Sequence, residues 1–194
     1  MIMQAEANKI YTPEEYLERE VESAIRHEYR SGEIIPMTGG TPNHNDIAGN
    51  LYILLKSSLK GKAYRTFYAD QRLWIPGANL YTYPDVMVLS KPLELQAGRQ
   101  DTVINPCLIA EVLSRSTQNY DRSEKFVAYR TISTFQEYLL IDQYRIYVEH
   151  YVKTADHQWL FSEHDDPKIT LTLNTINLQI QISNLYENID FPNE

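Results

Sequence analysis

Two carboxylates occupy positions where a charge is expensive. Asp85 follows Pro84 and opens the apolar run Val86-Met87-Val88-Leu89, and Glu111 lies inside Leu108-Ile109-Ala110-Glu111-Val112-Leu113. An ionised carboxylate within a buried strand is unstable unless it is paired or binds a cation. If the two strands are neighbours, both carboxylates meet at one point, with the backbone carbonyl of Val112 as a third oxygen. Mg²⁺ takes such a set: one or two carboxylates, a carbonyl, waters and the phosphate oxygens of a substrate. The ordinary alternative is that Glu111 pairs with an arginine and Asp85 caps a turn. Lys125 is the third element. At helical spacing Arg122, Lys125 and Tyr129 share a face. A lysine brought beside the carboxylates would orient an attacking water or stabilise a pentavalent phosphate; otherwise it is a surface lysine.

The order of elements decides whether these residues can meet. Thr12-Pro13-Glu14-Glu15 is a capping box with proline at the first helical position, and it predicts a helix to about Val21. His27 to Met37 reads as a hairpin turning at Ser31-Gly32. Thr41-Pro42 starts a second helix, with Ile47, Leu51, Leu54, Leu55 and Leu59 at helical spacing as far as Gly61. From Ala63 the period becomes two, predicting strands at about 63–68, 71–76 and 82–89, with a turn at Gly77-Ala78-Asn79. After a loop, Cys107 to Leu113 reads as a strand buried on both faces. Asp121 is expected to cap a helix, with Glu124 in the box position, running to about Arg130. Strands at about 136–142 and 145–153, joined near Gln143, precede further strand segments to about Gln181, and Ser183 is expected to cap a short final helix. The outcome is α+β, an α/β sandwich with helices around a central mixed sheet. No repeat or linker divides residues 1–194, so one domain is expected.

Composition narrows the function. The chain has 194 residues, 43 % apolar and 23 % charged, enough to bury roughly 70 % of its unfolded surface without a metal or disulfide staple. Cys107 is the single cysteine, which excludes a disulfide framework. No apolar run reaches the ~20 residues of a membrane helix. The N-terminal MIMQAEANK carries Glu6 and no apolar core, so no secretory signal is read there and a cytoplasmic location is expected. Tyrosine, 15 against 5 phenylalanines, leans towards sheet and wet clefts. The net charge of −8 argues against a general nucleic-acid binder, yet the acids crowd both ends. Lys56, Lys60, Lys62 and Arg65 occur with no acid between Asp46 and Asp70, and Arg122 belongs to a second, mixed cluster. Such a patch attracts phosphates or is simply a solvated face. His150, His157 and His164 lack zinc-ligand spacing, and there is no phosphate-binding glycine loop or nucleophile elbow. Asp70, between two strands, is read as a turn residue; Gln71 and Arg72 after it are open to substrate contact, though nothing local demands it.

Tyr83-Pro84-Asp85, then Ile109 to Ser114, then Asp121, Lys125 and Tyr129, then Glu137 to Asp142 together resemble the Uma family of restriction-endonuclease-like, PD-(D/E)XK proteins. His27-Glu28-Tyr29 before Gly32 to Met37 is similar to that family's N-terminal hairpin, and His44 after Gly39-Gly40-Thr41-Pro42 also fits. The resemblance covers about Tyr11 to Leu185, and the ordered set is more specific than any one motif. It implies a restriction-endonuclease-like core with an N-terminal helix and hairpin and extra C-terminal strands, acting as a Mg²⁺-dependent DNA endonuclease in which Mn²⁺ substitutes. Asp85 and Glu111 would be its acids. Leu113 stands where the usual acid-X-lysine tripeptide has lysine; the resemblance implies that Lys125, on the following helix, takes that place. Glu28 would be a further ligand or a strand-end salt-bridge partner. His44, at a helix start, would present a neutral imidazole to phosphate or merely cap.

Three function classes stand at this point. An endonuclease is supported by the ordered acid, acid, lysine set. A nuclease fold retained for binding nucleic acid or protein is supported by Leu113 and the acidic charge; it predicts weak metal binding. A hydrolase of a small phosphorylated molecule predicts no salt-sensitive DNA affinity. A homodimer or higher homo-oligomer is expected, since cutting both strands takes two sites.

Overall fold

In the computed structural model, which describes residues 9–191, the strand β8 (Pro106–Leu113) is buried at all eight positions. It is central to a six-stranded sheet ordered β11-β10-β9-β8-β6-β3. The other members are β3 (Tyr64–Tyr68), β6 (Val86–Ser90), β9 (Glu137–Asp142), β10 (Val148–Ala155) and β11 (Gln158–His164). All pairings are antiparallel except β8 with β9, so the sheet is mixed. Burial on both faces explains why β6 and β8 are continuous apolar runs rather than alternating ones.

Each face carries its own core. On one, α2 (Pro42–Ser58) lays Ile47, Leu51 and Leu55 on Val86, Val88, Leu108 and Ala110. The hairpin β12 (Thr170–Leu173) and β13 (Leu178–Gln181) and the short α5 (Ile182–Leu185) complete that layer. The other face packs Met87, Leu89, Ile109, Leu113 and Leu140 against a helical segment and a second, five-stranded sheet. That sheet is ordered β2-β1-β5-β4-β7, from β1 (His27–Arg30), β2 (Glu33–Pro36), β4 (Arg72–Ile75), β5 (Leu80–Thr82) and β7 (Thr102–Val103). Its outer face holds Tyr29 and Tyr81 against Tyr16 of α1 (Pro13–Glu22). These three are among seven tyrosines buried in the core, with Tyr83, Tyr129, Tyr138 and Tyr186.

Several expectations hold in detail. The Thr12–Glu15 capping box is formed, the hairpin turns at Ser31 and Gly32 with φ of 46 and 109°, and Thr41 caps α2 through the His44 N–H. Others need correction. The stretch 82–89 is not one strand: Pro84 has no N–H to donate to a ladder, and the chain leaves β5 in the second sheet to start β6 in the central one. Asp121 is no cap. The helix begins earlier, as α3 (Gln118–Tyr120), and continues through a π turn (Asp121–Lys125) into α4 (Phe126–Tyr129). Ser183 lies inside α5, whose N-cap position is Gln181. Strand β7 gave no signal, being two residues long. The signal-peptide reading falls mainly on residues 1–8, outside the described residues. Among those described, no helix is long and apolar enough to cross a membrane.

Candidate active site

Asp85 sits in the corner between the two sheets. One side of that corner is fixed by a buried relay in which Arg72 Nε donates to the Tyr83 hydroxyl (2.7 Å) and that hydroxyl donates to Glu20 (2.9 Å). Glu20 also accepts the backbone N–H of His27 (3.0 Å). Arg72 is thus structural. On the other side, Asp85 Oδ2 accepts the Val112 N–H (2.8 Å), and the Asp85 N–H faces Glu111 Oε2 (3.3 Å). Because β6 and β8 are adjacent, the two carboxylates meet at one point.

Glu111 is 3 % exposed. Its Oε1 accepts from Lys125 Nζ (3.0 Å) and from the Tyr129 hydroxyl (2.6 Å). Burial pushes its pKa up to about 8; Lys125 pulls against this, while Asp85 and Asp121 add to it. Lys125 also lies 3.3 Å from Asp121 and 3.6 Å from Glu28. Burial opposes its charge, but Glu111, Glu28 and Asp121 together hold the ammonium well above the usual lysine value. Glu28, on β1, accepts from Thr82 (2.5 Å) and from Arg30 Nη2 (2.8 Å). Burial raises its pKa, but Lys125, Thr82 and Arg30 outweigh that and hold it below the normal carboxylate range.

The α2 N-terminus closes the corner. The Thr41 hydroxyl donates to Gln143 Oε1, and Gln143 Nε2 donates to the Leu113 carbonyl (2.7 Å). This ties the helix start to the ends of β8 and β9. It places His44 Nε2 3.2 Å from Asp85 Oδ2. Gly40 is needed here, since a Cβ would come within 2.7 Å of His44 Nδ1. Burial disfavours a charged imidazole, but the Asp85 hydrogen bond and the charges of Asp85 and Glu111 raise its pKa overall. Asp85 thus shifts the balance of the ring towards its protonated form. That shift has a sign. A histidine whose folded pKa exceeds its unfolded value stabilises fully below about pH 6.5, and the gain disappears as pH rises through the folded value. In chelator, His44→Gln is expected to lower the melting temperature most at about pH 5.5 and least at about pH 9; a gap constant across that range contradicts the pairing.

These groups line a cavity of about 530 Å³, with Arg115 and Tyr144 at its rim. Sequence reading did not single out Asp121 as part of it, nor Thr41, Gln143, Arg30 or Tyr120, whose ring stacks under the Arg30 guanidinium at 3.5 Å. Arg122 is not on the Lys125 face; it turns to Glu149 (2.7 Å). Lys56, Lys60, Lys62 and Arg65 are exposed and far from the cavity, at the opposite end of α2 and the start of β3.

Residues 13–184 match a family model described as "Uma2: Putative restriction endonuclease". An "Uncharacterized protein sll1609" from Synechocystis sp. is 46 % identical over 162 residues, 84 % of this chain and 92 % of that protein. A second, "Uncharacterized protein slr1290" from the same organism, is 34 % identical over 93 % of each chain. The crystal structure of "a putative nuclease belonging to DUF820" from Anabaena variabilis superposes with a TM-score of 0.73 over 91 % of this chain and 98 % of that one, at 20 % identity. That likeness shares the α+β fold.

Proposed function

The chain belongs to the Uma2 family, and from that premise we propose that it is a metal-dependent DNA endonuclease. What carries the reading is the convergence of Asp85, Glu111 and Lys125 in one cavity, with Lys125 Nζ 3.0 Å from Glu111.

The donor set fits a hard divalent cation, Mg²⁺ with Mn²⁺ as a substitute. A residue's N–H and C=O leave a strand on the same side. The Val112 N–H points at Asp85, so its carbonyl faces the same corner, beyond the start of β6. Asp85, Glu111 Oε2 and this carbonyl would be the holders. No group of three His, Cys, Asp or Glu side chains arranged for a metal occurs among the described residues; in this reading two carboxylates and a carbonyl hold the ion and waters complete its shell. Such an ion supplies charge neutralisation at the phosphate and a more acidic water.

The protein's own groups have distinct tasks in this reading. The Lys125 ammonium offers positive charge where the phosphate gains negative charge, and it can orient the attacking water. Tyr129 stays neutral, held so by burial and Glu111, and fixes Glu111 Oε1 so that Oε2 faces Asp85. The His44 ring, 3.2 Å from Asp85, lies where a phosphate oxygen would approach. Glu28 belongs to the Lys125 ion-pair cluster, and we assign it to positioning.

The test is supercoiled plasmid with Mg²⁺ or Mn²⁺ and with chelator. Metal-dependent nicking is expected, with linear product appearing directly if two copies act as a dimer. A second reading, a nuclease fold that only binds, draws on Leu113 and on the three carboxylates around Lys125. It gains if plasmid, linear and single-stranded DNA all stay intact with either metal.

A further inference from the structure

Lys56, Lys60 and Lys62 have no part in the cleft, yet a continuous row of side chains leads to them. The Ala69 N–H, next to Tyr68, donates to the Asp85 carbonyl (2.9 Å). Tyr68, 38 % exposed, reaches the Asn45 carbonyl on α2 (3.5 Å). Its ring centroid is 5.5 Å from that of Tyr52, and the Lys56 ammonium is 5.7 Å from the Tyr52 centroid. Asn45, Gly49, Tyr52 and Lys56 recur every three or four residues and so share one stripe of α2. A Cβ on Gly49 would meet nothing within 4 Å, so the stripe is open there. Beyond it, Lys91 places its ammonium 3.3 Å from the Lys62 carbonyl. The row ends in Lys56, Lys60, Lys62 and Lys91, all exposed.

Like charges gathered on an otherwise acidic protein repel one another unless they face an anion. We propose that this row holds the phosphodiester backbone of nucleic acid as it leaves the cleft. The identity of that anion rests on the nuclease reading. From His44 to Lys56 the helix rises about 18 Å, which spans about five base pairs of duplex. Ammonium and tyrosine hydroxyl donors to phosphate carry no sequence information, so the row sets position and minimum length, not sequence.

The experiment is fluorescence anisotropy in chelator, with a labelled duplex of ~24 base pairs and the corresponding single strand. Wild type is compared with Lys56→Gln/Lys60→Gln/Lys62→Gln, whose exposed substitutions should leave the melting temperature unchanged. The triple variant is expected to bind about tenfold or more weakly at 0.1 M salt, with a salt slope shallower by about 2.7 on duplex or about 2.1 on single strand. The two slopes tell which form lies on the row. A triple variant that binds like wild type, while plasmid is still cut, overturns the row and leaves the nuclease reading standing. Wild type that loses affinity on substitution but cuts nothing upholds the row and overturns the nuclease reading. Wild type that binds neither form overturns the row, and the nuclease reading then stands or falls with metal-dependent plasmid cleavage.

Discussion

Lys125→Met is expected to lower stability by about 3–5 kcal/mol, the cost of stripping one partner from a buried ion pair. For a chain of this size that is a fall of roughly 6–20 °C in melting temperature. The side chain is 8 % exposed and lies within 3.6 Å of Glu28, Glu111 and Asp121. Without it three largely buried carboxylates crowd one point with no counter-charge between them. Glu111 already sits above its ordinary value through burial and through Asp85 and Asp121, and losing the opposing ammonium pushes it further up. A carboxyl whose folded pKa is raised binds more protons folded than unfolded, so stability falls as pH rises through that interval. The variant should therefore melt higher at pH 5 than at pH 8 by a wider margin than wild type. Lys125→Met/Glu111→Gln should regain much of the loss. A decrease of under about 2 °C for the single variant would show that the carboxylates do not depend on this lysine.

The same cluster shows how much could be read from the chain. Asp85 and Glu111 were legible because each breaks an apolar run, and a charge in a strand buried on both faces needs a reason. Lys125 was legible from helical spacing, and so was Asp121 beside it, four residues earlier on the same face; its reading as a cap hid that. An unbroken α-helix also predicts Arg122 near Lys125. The π turn at Asp121–Lys125 winds wider than an α-helix and rotates Arg122 away, towards Glu149. Nothing in composition announces such a turn. Thr41 and Gln143 are 102 residues apart; their contact depends on β8 and β9 being parallel neighbours, a choice made by the whole sheet. Pro84 was a local signal that period-two reading overran. Alternation continues through it, but without an N–H the ladder cannot, and the switch of sheets places Asp85 at the corner. Local rules thus located the two acids, whereas the polar frame around them arises from pairings far apart in sequence.

Asp85→Asn separates chemistry from folding at that corner. The amide oxygen can still accept the Val112 N–H, now received at 2.8 Å by Oδ2, and the side chain is 23 % exposed, so the melting temperature should change little. What goes is the negative charge, and with it one of the two carboxylates proposed to hold a hard cation. If that ion lowers the barrier by about 4 kcal/mol, its loss costs about a thousandfold in cleavage rate. Titration calorimetry with Mn²⁺ should show the same loss in affinity without DNA present. His44 supplies an internal control, because its raised pKa depends first on the Asp85 hydrogen bond and charge once burial is overcome. In Asp85→Asn its ring should titrate lower, visible by NMR. Cleavage within tenfold of wild type would remove Asp85 from the proposed ligand set even if the histidine shifts. Loss of cleavage with Mn²⁺ affinity intact would move Asp85 from holding the ion to handling the substrate. Loss of both, in a protein that still melts normally, is the outcome that the corner geometry requires.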